Sequence, residues 1–95
     1  MSKPWYLYLI ECEDGSIYTG ITVDVAARYE AHRLGTGARY TRAHKPRRLL
    51  GQEIHADRSA ASKAEYRVKK LSPAEKRRYA ATLAGDPPKP TDEPG

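Results

Sequence analysis

Trp5-Tyr-Leu-Tyr-Leu-Ile-Glu-Cys-Glu-Asp-Gly-Ser-Ile-Tyr-Thr-Gly-Ile21 is the stretch whose reading decides the fold. Two short runs rich in Tyr, Leu and Ile flank Glu13-Asp14-Gly15. This predicts a β-hairpin, because aromatic and β-branched residues suit a half-buried pleated surface and Asp-Gly is a strong turn signal. The strands are expected over about Trp5 to Glu11 and Ile17 to Ile21, with apolar residues on both faces and hence a sheet covered on at least part of both sides. Two registers are open. A two-residue Asp14-Gly15 loop pairs Glu13 with Ser16 and puts Tyr8 and Tyr18 on opposite faces. A three-residue loop with Gly15 left-handed pairs Cys12 with Ser16 and Ile10 with Tyr18, so that the two tyrosines share a face. Gly20 removes a side chain where a ligand could approach.

Outward from the hairpin, 95 residues make one domain, expected over 1–85, with a disordered Pro-rich charged tail over 86–95. There is no Phe, so seven Tyr and one Trp supply the aromatic bulk. The single cysteine, Cys12, excludes an internal disulfide and a Cys-based zinc cage, and fits a reducing compartment. The apolar run from Trp5 to Ile10 is shorter than a signal-peptide core of about 7 to 15 residues and far from spanning a bilayer, so a cytoplasmic location without membrane attachment is expected. From Arg28 to Arg78 there are fifteen Lys or Arg against five Asp or Glu. Such a segment attracts polyanions, nucleic acid first, although a solvated helix face would look similar.

Thr22 or Asp24 can cap a helix that closes at Gly35, with Val25 and Tyr29 facing the core and Arg28 and His32 forming an i, i+4 pair at the edge of that stripe. The stretch 35–46 is a basic loop interleaved with an aromatic, in which Arg39, Tyr40, Arg42, Lys45 and the following Arg47 are candidates for holding phosphates and stacking on bases. Arg48 to Ile54 reads as a third strand interrupted by Gly51. Ser59 can cap a second helix to about Leu71, with Ala61, Ala64, Val68 and Leu71 on the apolar stripe and Glu65 at its border, where an i, i+4 pair with Lys69 is the simplest explanation. Ser72-Pro-Ala-Glu75 is a capping box opening a third helix that ends near Gly85. The order is β-β-α-β-α-α, an α+β chain. No internal repeat, P-loop, dinucleotide fingerprint, Ser-His-Asp spacing or His metal cluster is present.

Tyr6-Leu7-Tyr8 and Tyr18-Thr19-Gly20, followed by Arg28 on the first helix and Glu65 on a later one, resemble the signature of the GIY-YIG nuclease superfamily. The likeness is greatest to its small stand-alone bacterial branch, the YhbQ-like proteins. Asp14 to Thr22, His32, Gly37 to Arg42 and Leu71 to Lys76 all contribute to it. The resemblance implies a small three-stranded antiparallel sheet flanked by helices, and cleavage of phosphodiester bonds with a single divalent metal, Mg²⁺ or Mn²⁺. It implies site roles for Tyr8, Tyr18, Arg28 and His32, with Glu65 as the metal ligand, and a nucleic-acid partner, DNA ahead of RNA. Tyr6 stands where the family tripeptide begins with glycine. Ile21 stands where DNA-repair relatives often carry Lys, which leaves the general-base role to Tyr18 or His32, with Tyr8 holding the water or relaying to it.

The residue types suit that chemistry. Arg28 offers a permanently charged fork to phosphoryl oxygens. One carboxylate suffices for Mg²⁺, which keeps several waters and takes phosphate oxygens as ligands. His32 titrates near neutrality, whereas a tyrosine base needs its phenolate stabilised by positive charge. Under this reading Tyr8, Tyr18, Arg28, His32 and Glu65 share one face, which selects the three-residue loop and a left-handed Gly15. The alternative from another class is a nucleic-acid-binding module without efficient catalysis.

Overall fold

The computed structural model describes residues 3–83 of the chain. The tail expected over 86–95 and the end of the expected domain at 84–85 lie outside the described residues. In chain order come strands β1 (Trp5–Cys12) and β2 (Ile17–Thr22), helices α1 (Val25–Arg33) and α2 (Arg39–Ala43), strand β3 (Pro46–His55), and helices α3 (Arg58–Lys69) and α4 (Pro73–Ala81). The sheet is antiparallel throughout, in the order β2-β1-β3. The expected order therefore stands, with α2 as an added short helix inside what reads as a loop.

The hairpin takes the three-residue register. Ile10 faces Tyr18 and Tyr8 faces Gly20. The Cys12 N–H donates to the Ser16 carbonyl and the Gly15 N–H to the Cys12 carbonyl, both at 2.9 Å. Gly15 has φ 88°, a left-handed conformation that a Cβ would strain. Asp14 Oδ1 accepts from the Ser16 backbone at 3.0 Å and its hydroxyl at 2.6 Å, which fixes the turn locally.

β1 is the central strand, and its alternation splits the core in two. Leu7 and Leu9 join Ile17, Ala64, Val68 and Leu83 on the face covered by α3 and α4. Tyr8, Ile10 and Cys12 join Val25 of α1 on the other, with Tyr18 and Tyr29 packed against them. Burying a Leu or Ile contributes roughly 1.5 to 3 kcal/mol each, so this short strand supplies much of the stability of a small domain.

Boundaries differ from expectation where side-chain chemistry competes. Asp57, not Ser59, caps α3, its Oδ1 accepting from the Ala60 N–H at 2.9 Å, and this starts the helix earlier. Gly51 is where α4 closes on β3, since a Cβ there would stand 3.2 Å from the Ala80 carbonyl oxygen, and the pairing with β1 shifts register beside it, Leu9 facing Gly51 and Ile10 facing Leu49. The Ser72 capping box opens α4 as read, but the helix stops at Ala81, short of Gly85. Asp24 caps α1 through its contact with the Ala27 N–H. At the other end the Gly35 N–H donates to His32 and the Thr36 N–H to Ala31, a Schellman closure with Gly35 at φ 84°.

Candidate active site

On α1, Val25, Tyr29 and His32 fall on the buried side and Arg28 remains exposed beside them. His32 is 1% exposed, more deeply set than a stripe-edge position predicts. Its Nε2 lies 2.9 Å from the Tyr8 hydroxyl and its Nδ1 2.6 Å from the Thr41 hydroxyl. Tyr8 and Thr41 are each also 1% exposed, so the three form a row sealed from solvent.

Glycines make room for this row. A Cβ on Gly20 would stand 2.6 Å from the Tyr8 hydroxyl oxygen, and one on Gly37 would stand 2.5 Å from His32 Nδ1. The space over Gly20, expected to admit a ligand, is therefore filled by the Tyr8 ring. Tyr18 closes the front: its ring centroid lies 4.9 Å from that of His32 and 6.2 Å from that of Tyr8, and it stays partly exposed. Tyr40 of α2 stacks on Tyr18 at 5.8 Å and on His44 at 4.2 Å. His44 Nδ1 pairs with the Asp14 carboxylate, and the Glu13 N–H donates to the Lys45 carbonyl at 2.8 Å, so the hairpin turn is stitched to the segment carrying α2.

Burial and then the neighbouring Arg28 charge push the His32 pKa below its ordinary value, which keeps the imidazole neutral at neutral pH. Burial, and next the adjacent Tyr18, push the Tyr8 phenol well above the usual tyrosine value, while Arg28 opposes the shift. Tyr8 therefore keeps its proton unless a base accepts it, and the atom in position to do so is His32 Nε2.

Glu65 is placed differently. It lies on α3, whose Ala64 and Val68 pack on the Leu7–Leu9 face, whereas Tyr8, Tyr18 and His32 belong to the opposite face. α3 lies against the edge strand β2, with Glu65 partly exposed at the border of its buried stripe. The Glu65 carboxylate is partly exposed and 3.3 Å from Lys69 Nζ, the i, i+4 pair foreseen.

Among the described residues no three His, Cys, Asp or Glu side chains converge on a metal position. The donor set is thus one partly exposed carboxylate. It suits a hard cation that retains waters and takes phosphate oxygens as ligands, and does not suit a closed structural metal.

The five candidates for nucleic-acid contact divide. Tyr40 turns toward Tyr18, while Arg42 and Lys45 line a cavity of about 290 Å³ behind His32 and Thr41. Arg39 and Arg47 are exposed at the start of α2 and on β3. Sequence reading missed Thr41 and Gly37 as site residues. The signal available was the place of both in the Gly37–Arg42 stretch that carries the family resemblance; nothing local separates Thr41 from a surface threonine.

With this sheet and this cluster in view, residues 4–79 match the family model of the GIY-YIG catalytic domain, and the chain belongs to that family. Within it the chain falls with the UPF0213 proteins. It is 52% identical over 83 residues to one from Cupriavidus pinatubonensis, covering 87% of this chain and 92% of that one. It is 48% identical over 82 residues to YhbQ of Escherichia coli, covering 86% and 82%. The solution NMR structure of a UPF0213 protein from Bacillus halodurans superposes with a TM-score of 0.52 at 42% identity, covering 88% of each chain.

Proposed function

We propose that this chain is a metal-dependent nuclease that hydrolyses phosphodiester bonds in DNA. The observation that carries the reading is the sealed Tyr8–His32 pair, a neutral imidazole hydrogen-bonded at 2.9 Å to a phenol, directly behind the accessible Tyr18 and Arg28. Packing alone does not call for a buried base wired to a buried acid under an exposed guanidinium.

The chain's own residues divide the work. Arg28 binds the phosphoryl oxygens on which charge builds, a role its fixed charge and fork of donors suit. Tyr18 is the tyrosine that solvent and substrate can reach, and it orients the attacking water. His32 acts only through Tyr8: as the Tyr8 oxygen takes the proton of the attacking water, the Tyr8 proton passes to Nε2, so that no free phenolate forms. Tyr40, on the outer side of Tyr18, offers a face for base stacking, while Arg39, Arg42, Lys45 and Arg47 hold flanking phosphates. Glu65 would hold Mg²⁺ or Mn²⁺, and when bound the ion supplies neutralisation of charge on the leaving oxygen.

The test is a panel of duplex, branched and single-stranded DNA and RNA incubated with and without each metal. Arg28→Ala and Tyr18→Phe are expected to lower kcat/KM by about 10² or more with unchanged circular dichroism, and Glu65→Gln to abolish metal-dependent cleavage. Cleavage by all three variants at the parent rate refutes the assignment.

A second reading, a nucleic-acid-binding module without efficient catalysis, is favoured by one observation: the Glu65 carboxylate is already paired with Lys69. It predicts binding that weakens steeply with salt in the absence of any metal-dependent product. Removing Arg42 and Lys45 together would then lower the slope of log K against log salt by roughly two.

A further inference from the structure

We infer that Thr41 is a positioning residue that fixes the tautomer of His32, keeping the imidazole proton on Nδ1 and leaving Nε2 as the acceptor for Tyr8. The catalytic consequence rests on the nuclease reading above; the tautomer itself does not.

A neutral imidazole has one donor and one acceptor nitrogen, and its partners decide which is which. Among the described residues the ring's partners are Tyr8 at Nε2, and Thr41 and the Ala38 N–H at Nδ1. The Thr41 hydroxyl also lies 3.0 Å from the Ala38 carbonyl oxygen, which can only accept. Its single proton therefore goes to that carbonyl, and its oxygen lone pairs are left for Nδ1–H at 2.6 Å. Every donor then points the same way along the row: Tyr8 O–H to Nε2, Nδ1–H to Thr41, Thr41 O–H to the carbonyl of Ala38.

The opposite tautomer would need Nδ1 to accept. Its backbone donor, the Ala38 N–H, stands at 3.4 Å, the limit of a hydrogen bond, and the 2.6 Å contact would lack a proton unless Thr41 abandoned the Ala38 carbonyl. Tyr8, His32 and Thr41 are each 1% exposed, so their polar atoms turn to one another rather than to bulk solvent. Gly37 packs directly against the ring: a Cβ there would be 2.5 Å from Nδ1. The charged and titratable groups around the ring are Tyr8, Tyr18 and Arg28, with Arg33, Arg42 and Lys45 lining the cavity behind it. None is a carboxylate, so a hydroxyl takes the orienting role that an acid often plays beside a working histidine.

The experiment is a long-range ¹H–¹⁵N spectrum of the full chain labelled with ¹⁵N-histidine, with His32 signals assigned through His32→Gln. The expected result is a protonated Nδ1 and an unprotonated Nε2 in the parent, retained in Thr41→Ser and lost or mixed in the near-isosteric Thr41→Val. A parent carrying the proton on Nε2 overturns the inference, as does a folded Thr41→Val that keeps it on Nδ1. Neither measurement needs substrate or metal, so the result stands even if the chain cleaves nothing, and the parent and Thr41→Ser spectra decide it even if Thr41→Val fails to fold. On any DNA the parent cleaves, Thr41→Val is expected to lower kcat ten- to hundredfold with KM unchanged and Thr41→Ser to restore it. Loss of kcat with an unaltered tautomer would contradict the positioning role.

Discussion

Tyr8 and Gly20 face one another across the hairpin, and the absence of a side chain on one is what lets the ring of the other lie flat toward His32. Gly20→Ala puts a methyl 2.6 Å from the phenol oxygen, and because Tyr8 is enclosed its ring must shift off His32. The expected cost is about 1 to 3 kcal/mol in urea unfolding, with lost activity out of proportion to it. Thr19, between Tyr18 and Gly20, points to the opposite face and buries a hydroxyl that has no hydrogen-bond partner among the described residues. Thr19→Val removes that unpaired group at nearly constant shape, so it should raise stability by about 1 kcal/mol in the same measurement. A fall in the denaturation midpoint would mean that the hydroxyl has a partner.

At the scale of elements, the hairpin turn sets more than its own strands. Gly15 places Tyr8 and Tyr18 on one face, while Asp14 and Glu13 tie the turn to His44 and Lys45 and so hold the segment carrying α2 against the site. Gly15→Ala forces a Cβ into the left-handed region at φ 88°, for which about 1 to 2 kcal/mol is expected. A loss well below that, with the Tyr8–Tyr18 contact intact by nuclear Overhauser effects, would show that the turn tolerates a side chain. The short helix α2 could not be read from the sequence because five residues without a side-chain cap form no stable helix alone. It exists because Thr41 is buried against His32 and Tyr40 stacks on Tyr18 and His44.

For the whole molecule, acid is the expected weakness. His32 and Glu11 both have pKa values held below their ordinary 6.5 and 4.5, the first by burial and Arg28, the second by hydrogen bonds from Arg48 and Arg77. For a group with a depressed folded pKa the unfolded chain binds the proton more readily, so stability is full above the unfolded value and falls as pH drops through the folded one. Denaturant midpoints should therefore begin to decline just below pH 6.5 through His32 and fall further below 4.5 through Glu11. His32→Asn should flatten the first step only; a parent midpoint constant between about pH 7 and 5 would argue against a buried neutral imidazole. No helix among the described residues is long and apolar enough to cross a membrane.

By itself the sequence determined the hairpin, the strand and helix order and the capping box at Ser72, which rest on periodicity, turn chemistry and spacing, all of them local; the grouping of Tyr8, Tyr18, Arg28 and His32 rests on the family resemblance. Only the tertiary structure decided which turn register holds, that His32 and Tyr8 are buried while Tyr18 and Arg28 face outward, and that Thr41 and Gly37 complete the row. Each of those depends on which surfaces meet across the sheet. A helical stripe names the face that is buried but not the side of the sheet that buries it, and a threonine becomes a partner only when a distant imidazole is packed against it.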